Sequence, residues 1–133
     1  MYVETDFLVA LLKEEDWLRD AALRSLDEHD DIHTSILSYA EVLVLFYDRE
    51  ASAYEIDAPR AVANLLELVP IEPAPHEDAV LAATVFIDEH GLTPFDALHA
   101  GVAATNDETV LSSDRAYDSV GLDRQPLDSD ETS

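Results

Sequence analysis

The sequence contains no cysteine. A disulfide framework, a thiolate metal site and a thiol nucleophile are therefore excluded. Positive charge is nearly as scarce. Lys13 is the only lysine, and Arg19, Arg24, Arg49, Arg60, Arg115 and Arg124 complete the basic residues, against 30 Asp and Glu, for a formal net charge of −23. No basic stripe can be drawn from so few cations, so recruitment of nucleic acid by bulk positive charge is excluded. Adsorption to anionic membranes is excluded on the same ground. Long apolar runs are also missing. The longest, Val42 to Tyr47, is six residues, where a membrane span needs roughly 20. The N-terminus, MYVETDFLVALL, carries acids where an export signal carries Lys or Arg, so a reduced, cytoplasmic setting is expected.

What is present argues for a folded domain. Hydrophobic residues make up 47% of the 133 positions, too many for a disordered chain, and they recur at helical periods. One domain over residues 1–127 is expected, followed by a disordered acidic tail over 128–133. Many acids with almost no lysine is the composition of proteins from a high-salt cytoplasm. Self-repulsion from such a charge is severe in dilute buffer, and largely screened at about 1 M salt, where the Debye length is roughly 3 Å. Most of the acids then serve as solvated surface, and the informative ones are those whose neighbours place them elsewhere.

The chain alternates short strands with helices. MYVET, Ile32 to Ser35, Val69 to Ile71, TVLS at 109–112 and Asp123 to Leu127 read as strands. Helices are expected over Asp6 to Lys13, Asp16 to His29, Ser38 to Arg49, Asp57 to Leu68, His76 to His90 with Gly91 as C-cap, Thr93 to Asn106 with Thr93 capping Pro94, and Arg115 to Val120. This alternation predicts an α/β fold, a three-layer αβα sandwich with a central mostly parallel β-sheet.

Four acids stand apart. Glu41 is the only charged residue in ILSYAEVLVLFY, and Asp96 is the only acid between His90 and Asn106. A lone carboxylate on a helix apolar on nearly every side reads as buried, and burial costs several kcal/mol unless the charge is paired or bound to metal. Asp6 follows the first strand, and Asp114 follows TVLS. Carboxylates at strand ends of a parallel sheet point into the crevice where such folds bind ligands. Each has a plainer structural explanation: capping boxes for Ser38 with Glu41 and Thr93 with Asp96, and N-caps for Asp6 and Asp114. Taken together they can converge. Converging carboxylates repel, and a hard divalent cation relieves that repulsion. Oxygen-only ligands favour Mg²⁺ or Mn²⁺.

The runs VETDFLVALL, SYAEVLVL, LTPFDALHAGVA and VLSSDRAYDSVG resemble, in order and spacing, the PIN-domain nucleases, with the closest likeness to ribonuclease toxins of the VapC type. The resemblance covers about Tyr2 to Leu127. It implies an αβα sandwich and a Mg²⁺- or Mn²⁺-dependent endoribonuclease, usually a homodimer, acting on an RNA substrate and held by a cognate antitoxin protein. Asp6, Glu41, Asp96 and Asp114 match the family's acidic quartet. Asp6 and Asp96 are then the primary metal ligands, and Glu41 and Asp114 complete the pocket. Ser112 matches a hydroxyl position that assists phosphate or metal positioning. One departure is Phe7, where many members follow the first acid with Thr or Ser.

Arg115 reads as a phosphate contact or a surface ion pair, Asp118 as an accessory acid or a solvated one, and His99 as a core histidine or a catalyst. Leu and Val stripes on the early helices serve either a homodimer seam or a monomer core. Two alternatives to the toxin reading remain: a non-catalytic PIN-fold interaction module, and an RNA-processing nuclease outside any toxin–antitoxin pair. A phosphoacceptor switch is disfavoured, because the sole lysine lies in the first helix. A DxD phosphotransferase is disfavoured because Asp6-Phe7-Leu8 lacks the second acid.

Overall fold

The computed structural model describes residues 1–112 and 114–127. The expected acidic tail over 128–133 lies outside the described residues. The elements in chain order are α1 (Thr5–Leu12), α2 (Arg19–Glu28), α3 (Ile36–Leu45), β1 (Tyr47–Asp48), β2 (Ala53–Tyr54), α4 (Ala58–Leu68), α5 (Pro75–His90), α6 (Pro94–Thr105), β3 (Val110–Leu111), a 3₁₀ segment (Arg115–Val120) and β4 (Arg124–Gln125). No helix of the described residues is long and apolar enough to cross a membrane.

The helix boundaries follow local chemistry. Pro59 and Pro94 sit in the first turns of α4 and α6, where no N–H partner is needed. Gly91 closes α5 at φ 64° and donates its N–H to Ile87, the left-handed cap expected of glycine. α2 starts later than the periodicity predicts, because Asp16 Oδ1 accepts the Leu18 N–H at 2.8 Å and closes a turn first. α3 stops at Leu45 rather than running to Arg49. There Asp48 Oδ1 accepts from the N–H groups of Glu50 and Ala51, and the chain folds into an antiparallel hairpin pairing Tyr47 with Tyr54.

The expected central parallel sheet is present only in pieces. Tyr2 bridges His33, and Thr34 bridges Ile71, both in parallel. β3 and β4 form a second parallel pair, Val110 with Arg124. Among the described residues these patches do not join into one sheet. The pairing segments are short, and Pro70 and Pro126 flank two of them. Proline has no N–H to extend a ladder.

Helices make most of the core. α5 lies along α6 and α4, α1 packs on α2 and α3, and α3 reaches α6 and α5. Leu8, Tyr39, Val42, Leu43, Val62, Val69, Ile71 and Val80 are fully buried between them. The α5–α6 contact depends on Gly101. A Cβ there would collide with the carbonyl oxygen of Ala79 and lie 3.0 Å from the Ala83 nitrogen. Buried hydroxyls stitch the parallel patch to α3. Thr34 Oγ1 donates to the Val3 carbonyl at 2.7 Å and pairs with Ser38 Oγ at 2.7 Å, while the Tyr39 hydroxyl donates to Val69 O at 2.7 Å.

Candidate functional site

Asp96 occupies the first turn of α6 and is half-buried. The Thr93 hydroxyl donates to Asp96 Oδ2 at 2.9 Å. This is not the expected capping box, because neither side chain satisfies the helix N–H groups. The hydroxyl instead fixes the carboxylate. Asp114 does cap. Its Oδ1 accepts the Ala116 N–H at 2.9 Å at the start of the 3₁₀ segment, and its own N–H donates to Ser112 Oγ at 3.0 Å. Ser112 thereby holds the loop that carries Asp114.

Tyr117 lies within electrostatic reach of both acids. It is buried, and burial first, then the negative charges of Asp96 and Asp114, push its phenol above the ordinary tyrosine range. Two carboxylates from separate helix starts therefore bear on one phenol. Tyr54 has a related position. Its hydroxyl donates to Leu92 O at 2.9 Å, and burial, with smaller contributions from Tyr47 and Asp96, raises it as well.

Glu41 is not buried. It is exposed on α3 and makes no hydrogen bond or ion pair among the described residues. The inward positions of α3 are Tyr39, Ala40, Val42 and Leu43, while Leu37, Glu41, Val44 and Leu45 share an outward face. Its neighbours in sequence are apolar because part of that outward face is apolar. The capping box with Ser38 is also absent. The helix starts at Ile36, and Ser38 pairs with Thr34.

Asp6 is exposed in the first turn of α1. With Phe7, Ala10, Leu18, Ala21, Ala22 and Ser25 it lines a groove of about 180 Å³ between α1 and α2. Neither the N-cap expected for it nor a side-chain bond to the helix start is present, since Glu4 holds the cap position. Glu4 is the acid that sequence reasoning missed. Strand pairing ends at Val3, whose N–H donates to His33 O, so Glu4 is the carboxylate at the strand exit, followed by the hydroxyl of Thr5. Its charge raises the Tyr2 phenol slightly, against the lowering that comes chiefly from a hydrogen bond with Ser35 and then from Ser38 and Thr34. Placing the strand end two residues earlier would have found it.

The remaining residues sort clearly. Asp118 is exposed, as a solvated acid would be, but it is paired. It forms a two-pronged pair with Arg124, Nε to Oδ1 at 2.9 Å and Nη2 to Oδ2 at 3.2 Å, which lowers its carboxyl, with a smaller contribution from the charge of Arg115. Arg115 thus bears on an acid of its own segment. His99 is exposed on α6, which sets aside the core-histidine reading.

The donor chemistry here is oxygen-only and suits a hard divalent cation. The placement is less complete. Among the described residues, no three of His, Asp and Glu stand close enough together to hold a metal ion. Asp96 and Asp114 share the Tyr117 neighbourhood, and Glu41 and Asp6 project from α3 and α1.

A family model described as PIN domain matches residues 1–122. No curated protein and no solved structure matches significantly.

Proposed function

We propose, on the premise that this chain belongs to the PIN-domain family, whose members are generally metal-dependent nucleases of α/β fold, that it is an endoribonuclease using Mg²⁺ or Mn²⁺. Such an ion, when bound, neutralises phosphate charge and activates water. What supports the site assignment is the geometry of the two acids, Asp96 held by the Thr93 hydroxyl and Asp114 capping the 3₁₀ segment from the Ser112 loop, with the charge of both reaching Tyr117. Asp96, oriented by Thr93, and Asp114 form its centre, and Glu41 and Asp6 contribute from α3 and α1. Ser112 holds the Asp114 loop, Arg124 Nη1 donates to the Ser112 carbonyl at 2.8 Å, and Arg115, next to Asp114 in sequence, is the candidate phosphate contact. Glu4 competes with Asp6 for the role of first acid.

We assign the protein to the cytoplasm of a high-salt cell, as the toxin of a toxin–antitoxin pair and a homodimer. The exposed Leu37 and Leu45 of α3 suit the dimer. Residues 1–127 act as one domain in this reading.

Incubation of RNA with the protein in molar KCl is the test. Cleavage is expected with Mg²⁺ or Mn²⁺ and not with chelator. Cleavage at the same rate in chelator would overturn the metal dependence. A neighbouring gene for a small DNA-binding protein, co-purifying as a complex, supports the toxin; its absence supports an RNA-processing nuclease.

A second reading, a non-catalytic module of the same fold, draws on the lack of a three-acid cluster among the described residues. Calorimetry at high salt separates the two, since the nuclease binds Mn²⁺ and the module does not.

A further inference from the structure

Next to Asp96 in the chain lies a groove of about 400 Å³ lined by Val44, Tyr47, Arg49, Thr93, Pro94 and Phe95. Its volume falls at the low end of the roughly 300–1,000 Å³ typical of small-ligand clefts. That is room for one nucleotide and too little for a folded partner. Two of its walls carry chemistry. Phe95 is 59% exposed although it is a large aromatic at a helix start. Arg49 is exposed and makes no hydrogen bond or ion pair among the described residues. In a chain with 30 acids and seven bases, Arg49 is the one cation that lines this groove, and its guanidinium is open to an incoming phosphate.

The groove is also joined to the candidate centre. Thr93 lines it and donates to Asp96 at 2.9 Å, Phe95 directly precedes Asp96, and Val44 lies on the outward face of α3 with Glu41.

We propose that this groove is a nucleotide subsite of the RNA strand, with a base stacked on Phe95 and a phosphate held by Arg49. The inference rests on the nuclease reading above and deepens it. The physical case is the net charge. Phosphate contacts weaken as salt rises, and this chain has few cations to make them. Base–aromatic stacking needs no cation, and every base has a π-face. An acidic nuclease in molar salt gains strand affinity by stacking, supplemented by one arginine. The preference so produced is for unpaired RNA with little sequence selectivity, because a stacked base in a duplex is not available to the ring.

The test is binding of a short, fluorescently labelled single-stranded RNA of mixed sequence, measured by anisotropy in molar KCl without divalent ions. Phe95→Ala is expected to weaken binding by about 5- to 150-fold, the range for loss of one base–aromatic stack. Phe95→Tyr is expected to retain it, and Arg49→Gln to weaken it less than Phe95→Ala. As a spectroscopic readout, Phe95→Trp in a Trp17→Phe background is expected to lose indole emission when RNA is added. Phe95 is exposed, so none of these changes removes a core contact. Wild type that binds RNA with an affinity unchanged in Phe95→Ala overturns this inference and leaves the nuclease reading standing. Wild type that binds no RNA overturns this inference, while the nuclease reading is decided by the cleavage assay with Mg²⁺ or Mn²⁺. A dimer that dissociates in Phe95→Ala, with RNA affinity unchanged, assigns the groove to a second copy of the chain and overturns the nucleotide subsite.

Discussion

The Thr93 hydroxyl at the start of α6 leaves the helix N–H groups uncapped and donates its one proton to a side chain. It holds Asp96. The expected consequence is that Thr93→Val, which keeps the shape and removes the donor, lowers kcat/KM for RNA cleavage by about 10- to 100-fold, as loss of an orienting partner typically does, while the thermal midpoint changes little. An unchanged kcat/KM would show that Asp96 needs no orienting. At the other end of the site two acids compete. Paired substitutions, Glu4→Gln and Asp6→Asn, separate them through the RNA cleavage rate, and the one that abolishes cleavage is the first acid. Asp6 was singled out for its place at the start of an apolar helix, and the structure sets it inside the first turn of α1. Glu4 was not, because the strand was read through to Thr5. Glu41 was legible as unusual and misread as buried, because a run of apolar neighbours looks the same whether its outward face is covered or bare.

Helices were legible where their ends carry strong local chemistry. Thr93-Pro94 and Gly91 set the facing ends of α6 and α5 by fixed backbone preferences. Strands were legible in position but not in extent, since two-residue ladders leave almost no periodic signal and pairing is decided by partners distant in sequence. The Tyr47–Tyr54 hairpin was hidden because the apolar run at the end of α3 continues into it without a glycine turn. One element contact yields a test against simple propensity. Alanine is favoured over glycine inside a helix by about 1 kcal/mol. At Gly101 the opposite is expected, because the obstacle is the backbone of α5, which cannot rotate away. Gly101→Ala should lower stability by about 1–3 kcal/mol, the range for overpacking, in chemical denaturation. A stabilised variant would mean that α5 and α6 can separate freely.

Across the whole molecule, charge and the buried tyrosines set the response to solvent. Burial, chiefly, holds Tyr39 and Tyr54 above their ordinary value of 10.0, and Tyr117 is raised in the same way. A group whose folded value is raised contributes stability that is whole below the unfolded value and is lost as pH rises through the folded one. The fold is therefore expected to lose stability above about pH 10, with these three phenols ionising only as it opens. Tyr2, lowered by Ser35, ionises earlier. Ultraviolet absorbance followed with circular dichroism checks this. Ionisation of all five tyrosines near pH 10 without unfolding would contradict it.

The net charge of −23 first excludes recruitment of RNA by bulk attraction. It does not exclude hydrolysis at a few placed acids once salt screens the rest. The most direct measurement is the RNA cleavage rate of wild type and Asp96→Asn, side by side in molar KCl with Mn²⁺. The account predicts cleavage by wild type and a loss of about 100-fold or more in the variant, the scale of removing one preorganised charge-stabilising group. Equal rates in the two proteins would contradict it.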